Sequence, residues 1–354
     1  MVLPVCPPVR PMLARLGREL PAGEGWHYEP KWDGFRCVVF RDGDTVSLWS
    51  RNERPFDRYF PELLSPLGGS LPDRAVVDGE IVIAGPGGLD FDALLQRIHP
   101  AASRVRRLAE TTPASFVAFD LLALGDEDLR TTPFDRRRRQ LAGALAGVRP
   151  PVHVTPSTTD RATALDWFSR FEGAGLDGVV AKAADLRYVE GERAMVKVKH
   201  ERTADCVVGG YRHHTHGGIG SLLLGLFDRT GTLHRVGVCS SFSTARRQEL
   251  REELVPFRLA PGQPHPWAGG EAGVEGTPTD PPNRWSRGRD ASWEPIAPVL
   301  VCEVAYDHLQ GDRFRHATTF RRWRHDRDPD SCTYDQLASP VPTELRQVFS
   351  IPGD

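Results

Sequence analysis

The stretch WHYEPKWDGFRCVVFRDGDTVSLWS, residues 26–50, decides the fold expected for the first half of the chain. Apolar and polar residues alternate along it on both sides of Asp42, Gly43 and Asp44. Alternation with a period of two around an Asp-Gly turn is the pattern of a β-hairpin. We therefore predict that residues 26–40 and 45–50 form the two arms of one hairpin.

Further strand patterns lie at 74–84, 115–124, 178–183 and 194–199, separated by helical patterns at 56–65, 90–98, 134–147 and 160–174. They predict an α+β domain with mostly antiparallel strands over residues 1–201. After it, short strands with glycine-rich turns and one strong helix near 243–256 predict a small β-barrel domain over 202–354. The Pro- and Gly-rich stretch 259–298 is too long for an ordinary connection and predicts a mobile insertion.

Composition narrows the class of protein. The 354 residues carry a net charge of −2, from 45 Lys and Arg against 47 Asp and Glu, which excludes a uniformly basic nucleic-acid coat and an acidic tail protein. Six scattered cysteines without a C-x-x-C pair argue against a zinc ribbon and predict buried thiols. No apolar run is long enough to span a membrane and the opening residues do not form a signal peptide, so we expect a cytoplasmic protein.

Lysine is nearly absent, with four lysines against 41 arginines. Lys31 precedes Gly34, which permits a close backbone approach. A lysine can lose its proton and act as a nucleophile, whereas an arginine cannot. Lys197 and Lys199, two apart in a strand pattern, project from one face where a polyanion would bind, and Lys182 lies on another apolar strand. The alternatives are a surface position at a strand edge for Lys31 and ion-paired strand positions for the other three.

Three acidic residues at strand positions suit a metal. Asp78 and Glu80 lie in one strand pattern, and Asp177 begins another. Carboxylate oxygens are ligands that Mg²⁺ prefers. These residues therefore predict a Mg²⁺ that neutralises phosphate charge.

The motifs around these residues, taken in order, resemble those of the ATP-dependent DNA ligases of the covalent nucleotidyltransferase superfamily, and are most similar to the compact two-domain bacterial type C ligases. The K-x-D-G motif formed by residues 31–34 is weak evidence for the family by itself, because only three positions are specified. Six motifs, however, occur in the family's order between Pro11 and Asp326. The resemblance implies an adenylation domain over 1–201 and an OB-fold barrel over 202–354.

The resemblance also implies roles for single residues. Lys31 would be adenylylated by ATP, with Glu29 contacting the adenine and Arg36 the ribose. Phe119 would stack on the adenine, and Glu80 would contact the ribose and help to hold Mg²⁺ or Mn²⁺. The cations implied to contact sugar or phosphates are Arg51, Lys182, Lys197 and Lys199.

Two motifs depart from the family pattern. Asp177, implied to hold metal with Glu80, stands where the ligases usually have Glu and where capping enzymes more often have Asp. In the sixth motif, residues 320–327, Arg327 stands where the family has Lys. The residues of this motif implied to orient the β- and γ-phosphates are Arg322, Arg324, Asp326 and Arg327.

The implied reaction has three steps, in which Lys31 takes AMP from ATP, AMP passes to the 5′-phosphate of a nick, and the 3′-hydroxyl displaces AMP. The implied partners are nicked double-stranded DNA and DNA repair proteins, with the enzyme a monomer and no membrane involved. An RNA ligase or capping-type nucleotidyltransferase, or a non-catalytic DNA-end-binding scaffold, remain the alternatives.

Only 30 residues precede Lys31, too few for the extra DNA-binding domain of larger ligases, so we expect DNA phosphate contacts to come from arginines on the two domains. A net charge of −2 still allows a local basic stripe. The candidate stripes are Arg104 with Arg106 and Arg107, residues 136–139, and Arg212 with His213 and His214. Residues 259–298 are a further candidate.

Overall fold

The computed structural model describes residues 3–85, 88–176, 178–200, 202–260, 262–267, 292–307 and 309–337. Contacts divide them into two compact units, one up to residue 200 and one from residue 202 to 337. Within the described ranges, no helix combines the length and the apolar character that crossing a bilayer requires.

The first unit contains two main sheets with helices beside them. Its strands are β1 (Ala14–Leu16), β2 (Trp26–Pro30), β3 (Phe35–Asp42), β4 (Thr45–Ser50), β5 (Arg74–Val82), β6 (Ala84–Gly85), β7 (Gly88–Leu89), β8 (Ser115–Leu124), β9 (Glu127–Asp128), β10 (Val152–Val154), β11 (Val179–Ala183) and β12 (Met195–Val198). Its helices are α1 (Pro61–Ser70), α2 (Phe91–Gln96), α3 (Ala102–Thr111), α4 (Phe134–Ala144) and α5 (Arg161–Arg170).

The strand order is β1-β12-β11-β2 in one sheet and β10-β8-β5-β3-β4 in the other, with β9 added to β8. Only the β1–β12 and β10–β8 pairs of these sheets are parallel. The predicted α+β class with mostly antiparallel strands is therefore confirmed.

The predicted hairpin is right at its turn and wrong in its first arm. β3 pairs with β4 from Cys37 opposite Ser50 to Asp42 opposite Thr45. β2 belongs to the other sheet, where it pairs with β11. Residues 31–34 cross between the sheets, and a Cβ on Gly34 would overlap the carbonyl oxygen of Ile81. Buried residues lie on both sides of this crossing, at 28–30 in β2 and 37–40 in β3, so the sequence pattern hides the change of sheet.

Helix ends follow local capping. The Asp160 side chain accepts from the N–H groups of Ala162 and Thr163 at the start of α5. α1 begins at Pro61, where a missing N–H costs nothing, so the helix predicted at 56–65 is displaced along the chain. α3 was not predicted, because Val105 is its one buried residue and arginines cover its other faces.

The second unit is built on five main strands that pair in a closed order. Its elements are β13 (Arg202–His213), β14 (Ile219–Phe227), β15 (Leu233–Ser240), α6 (Thr244–Leu254), β16 (Glu294–Tyr306), β17 (Leu309–Gln310), β18 (Arg313–Phe314) and β19 (Thr318–Trp323). The pairing order β13-β14-β15-β19-β16 returns to β13, and only β15 with β19 is parallel. Cys206, Cys239, Cys302 and Cys332 are buried in its core. Cys37 is buried in the first unit, and Cys6 is exposed.

Most of the predicted insertion 259–298 lies at 268–291, outside the described residues. The described residues just before it pack on the strands of the second unit. His265 donates from Nε2 to the carbonyl of Gly209 at 2.8 Å, and Trp267 donates from Nε1 to the carbonyl of Leu233 at 2.9 Å. A Cβ on Gly209 would collide with the Trp267 ring. The glycine thus permits this close packing.

Candidate active site

A cavity of about 360 Å³ lies in the first unit, lined by residues of both main sheets. Residues that the sequence nominated line it together: Glu29, Lys31, Arg36, Arg51, Glu80, Phe119, Lys182, Lys197 and Lys199. All four lysines of the chain belong to this set. Asp177, the remaining nominated residue of this domain, lies outside the described residues.

Strand register explains why distant residues meet on one face. Glu29 in β2 is opposite Val180 in β11, and Val180 is opposite Lys197 in β12. Directly opposed residues share a face of the sheet, and so does Lys182, two positions beyond Val180. This face carries a carboxylate and two ammonium groups into the cavity.

The crossing segment holds Lys31 at the cavity wall. The Lys31 N–H donates to the carbonyl of Gly178 at 2.9 Å, and the buried Trp32 ring donates from Nε1 to Thr155 Oγ1 at 2.8 Å. Gly178 has a φ of +129°, and a Cβ there would overlap the carbonyl oxygen of Val198. The backbone that carries Lys31 is therefore fixed on both sides.

Glu29 and Lys182 form a buried ion pair in the cavity wall. Lys182 Nζ lies 2.7 Å from Glu29 Oε2 and donates to the carbonyl oxygen of Phe119 at 2.9 Å. Glu29 Oε1 is also buried but has no hydrogen-bond partner among the described residues. A buried carboxylate oxygen without a donor is costly, so this atom suits a ligand that brings an N–H or O–H.

Arg36 is held by a second buried acid. Its Nε and Nη2 each lie 2.6 Å from an oxygen of Asp78, and its guanidinium lies 4.4 Å from the centre of the Phe119 ring. Tyr188 donates to Asp78 Oδ2 at 2.6 Å, and burial raises the pKa of Tyr188 well above its ordinary value. Because Arg36 and Tyr188 occupy both Asp78 oxygens deep in the core, the prediction that Asp78 binds Mg²⁺ is wrong.

Glu80 is the cavity's candidate metal ligand. Burial raises the pKa of Glu80 to about 7, and the positive charges of Arg36 and Lys31 only partly oppose this shift. A bound cation would favour the ionised carboxylate. Within the described parts of the chain, no group of three or more His, Cys, Asp or Glu side chains is arranged to hold a metal.

The sixth motif lies in the second unit, where its cations pair with acids. Arg322 Nε lies 2.6 Å from Glu303 Oε2. Arg324 donates from Nη1 to both Asp205 oxygens at 3.0 Å and from Nε to Asp326 Oδ1 at 2.9 Å. The hydrogen bond from Arg324 lowers the pKa of Asp326 to about 2. Arg327 Nε is 3.5 Å from Asp205 Oδ2.

Comparison with known proteins gives the family. Residues 11–199 match the ATP dependent DNA ligase domain, and residues 215–327 match the ATP dependent DNA ligase C terminal region. The chain belongs to the ATP-dependent DNA ligase family. DNA ligase C of Mycobacterium tuberculosis is 54% identical over 362 residues, which cover 100% of this chain and 99% of that protein. DNA ligase C2 of Mycolicibacterium smegmatis is 53% identical over 350 residues, covering 96% and 97%.

A solved structure of a Lig E DNA ligase has a TM-score of 0.54 at 18% identity, covering 88% of this ligase and 99% of that chain. It supports the fold alone. The predicted family, the type C assignment and the enzyme class are confirmed by the relatives. The roles of single residues stay predictions.

Sequence reasoning missed some of the ligase cavity. Met195 at the start of β12 and Arg193 just before it line the cavity, as do Ala14 at the start of β1 and Leu13 just before it. Arg193 adds a cation near the predicted phosphate lysines. Its signal in the sequence was only a charge beside an apolar strand, which many surface arginines share.

Proposed function

We propose that this ligase seals 5′-phosphate/3′-hydroxyl nicks in duplex DNA through AMP bound covalently to Lys31. The observation that carries the proposal is the meeting of Lys31 with Glu29, Lys197 and Lys199 in one cavity. A nucleophilic amine, a buried acceptor for a base and cations for phosphates are the parts that adenylyl transfer needs.

In the first step, the neutral Lys31 amine attacks the α-phosphorus of ATP. A phosphorus–nitrogen bond forms, the bond to pyrophosphate breaks, and the amine loses a proton. Lys197 and Lys199 stabilise charge that develops on the phosphate oxygens. The nick's 5′-phosphate then displaces Lys31 from AMP, and the 3′-hydroxyl finally displaces AMP.

Mg²⁺ fits this cavity through Glu80. Mg²⁺ commonly takes one or two carboxylates together with substrate phosphates and water, so a single well-placed carboxylate suffices. The ion would neutralise phosphate charge when bound. Asp177 remains the proposed second ligand. In the second unit, Arg322, Arg324 and Asp326 remain the proposed pyrophosphate-orienting group.

For DNA, we propose that α3 contacts the phosphate backbone. Arg104, Arg106 and Arg107 are exposed on this helix, and none pairs with a carboxylate among the described residues. Beside the helix, Arg58 donates to the carbonyl of Pro100 at 2.9 Å. Many other surface arginines of this unit are paired, including Arg139 with Asp135. Unpaired arginines are the ones that can neutralise DNA phosphates and release counterions.

The test of the proposal uses α-labelled ATP with the purified ligase. Wild type should acquire a covalent label that passes to a nicked duplex, whereas Lys31→Ala and Lys31→Arg should acquire none. Lys31→Arg is the matched control, since it keeps the positive charge but cannot lose its proton. Label retained by either variant would refute Lys31 as the acceptor. Sealing of nicked DNA but not of nicked RNA would separate the proposal from an RNA ligase, and labelling by GTP would favour a capping-type enzyme.

A further inference from the structure

Lys182 lies in the cavity wall, where protein groups already occupy its ammonium. Its ammonium is buried and contacts Glu29 Oε2 and the carbonyl of Phe119. Its Nζ lies 4.5 Å from the centre of the Phe134 ring and 4.9 Å from that of Phe119. An ammonium has three N–H donors. Two of them are taken by oxygen acceptors, and an aromatic ring faces the remaining side.

This environment differs from that of a phosphate clamp, the role that family resemblance implied for Lys182. A lysine that binds phosphate must direct its N–H groups at the ligand. Lys182 instead directs them at the Glu29 carboxylate and at the backbone carbonyl of Phe119, the residue implied to stack on adenine. The ion pair places Glu29 Oε2 against Lys182 and leaves Glu29 Oε1 without a partner. The free acceptor is therefore the atom that a base would meet.

We propose that Lys182 is a positioning residue for base recognition: it holds Glu29 so that Oε1 accepts a hydrogen bond from the 6-amino group of the purine. The proposal rests on the adenylyl transfer proposed above. A purine with a carbonyl at C6 would place an acceptor against this carboxylate, so the pair would select ATP over GTP. Without Lys182, a carboxylate would stay buried without its cation and lose its fixed position.

The test compares ATP with purine riboside triphosphate, which lacks only the 6-amino group. The quantity measured is the ratio of the two kcat/KM values for covalent labelling of Lys31. A hydrogen bond to a charged group predicts that wild type favours ATP by about 10- to 100-fold. In Lys182→Met and in Glu29→Met the ratio should fall to within about threefold of one, since the shared hydrogen bond is lost in both.

Lys197→Met is the matched control, because Lys197 lines the same cavity from the neighbouring strand. It should slow labelling by both nucleotides and leave their ratio at the wild-type value. If Lys182→Met also slowed both nucleotides and kept the wild-type ratio, Lys182 would be a phosphate contact and the proposal would be overturned.

The double variant Glu29→Met/Lys182→Met guards against misfolding, since it removes both buried charges together. Its ratio should equal that of either single variant, because the two residues act through one hydrogen bond. If the ratio of the double variant fell below that of both single variants by a second independent factor, the proposed coupling between Glu29 and Lys182 would be overturned. Absence of label on wild type with either nucleotide would instead refute adenylyl transfer itself.

Discussion

Replacing Gly34 by alanine should disable Lys31 without replacing any residue proposed to react or to bind metal. A Cβ at this position would overlap the carbonyl oxygen of Ile81 and lie 2.9 Å from both Glu80 Cγ and Val82 Cγ1. Two of these neighbours are backbone or β-branched atoms of a central strand, so the crossing segment must move instead. Overpacking of this kind costs about 1–3 kcal/mol of the free energy of unfolding. A displacement of about 1 Å in a reacting group lowers the rate roughly 100-fold.

The assay is single-turnover labelling with α-labelled ATP, with urea unfolding measured in parallel. Gly69→Ala is the matched control, because a Cβ on Gly69 has no atom within 4 Å and the residue lies inside α1. It should raise the free energy of unfolding by about 0.5–1 kcal/mol through helix propensity and leave labelling unchanged. If Gly34→Ala labelled at the wild-type rate with unchanged stability, the close packing of the crossing segment would not position Lys31.

Three further variants test other parts of the ligase. Tyr188→Phe removes a buried hydrogen bond to Asp78, so urea unfolding should show a loss of about 1–2 kcal/mol, and the KM for ATP should rise as Arg36 loosens. Glu80 should make wild type lose stability as pH rises from its ordinary pKa of 4.5 to about 7, because the folded ligase retains a proton there that the unfolded chain releases. Urea titrations of Glu80→Gln across this range should lack that loss, and an equal slope would contradict the buried carboxyl. Changing the three exposed α3 arginines to Gln should weaken nick binding for all sequences and reduce the salt slope by about three. The matched control changes three surface arginines that are already paired with carboxylates, namely Arg10, Arg139 and Arg170. An equal loss of nick binding in this control would contradict the proposal that α3 contacts DNA.

Local chemistry was readable from the sequence, whereas pairing between distant strands was not. The turn at residues 42–44 and the cavity lysines follow from short patterns and motif order. The partner of Lys182 depends on the register of β2 against β11, which joins residues about half a chain apart. Likewise, Asp78 looked like a metal ligand until the register of β3 against β5 brought Arg36 to it.

The change of sheet at Pro30 was also invisible to periodicity. Alternation describes which face a side chain takes, but it does not say which sheet receives the strand. α3 was missed for another reason, since Val105 and Leu108 are the only large apolar residues of this arginine-rich helix, and two residues make too short a stripe to recognise in the sequence. Both failures arise where packing with the rest of the unit, and not local preference, selects the structure.

Because every lysine of this ligase lines one cavity, primary amines are absent from the rest of its side-chain surface. Amine-coupling reagents have only that cavity and the chain's amino terminus to react with. Immobilising the enzyme through amines would therefore modify the cavity proposed to bind ATP or leave the enzyme attached by its terminus. Lysine acetylation of this protein, wherever it occurred, would be a modification of the cavity proposed to bind ATP, and protection by ATP would test that assignment directly.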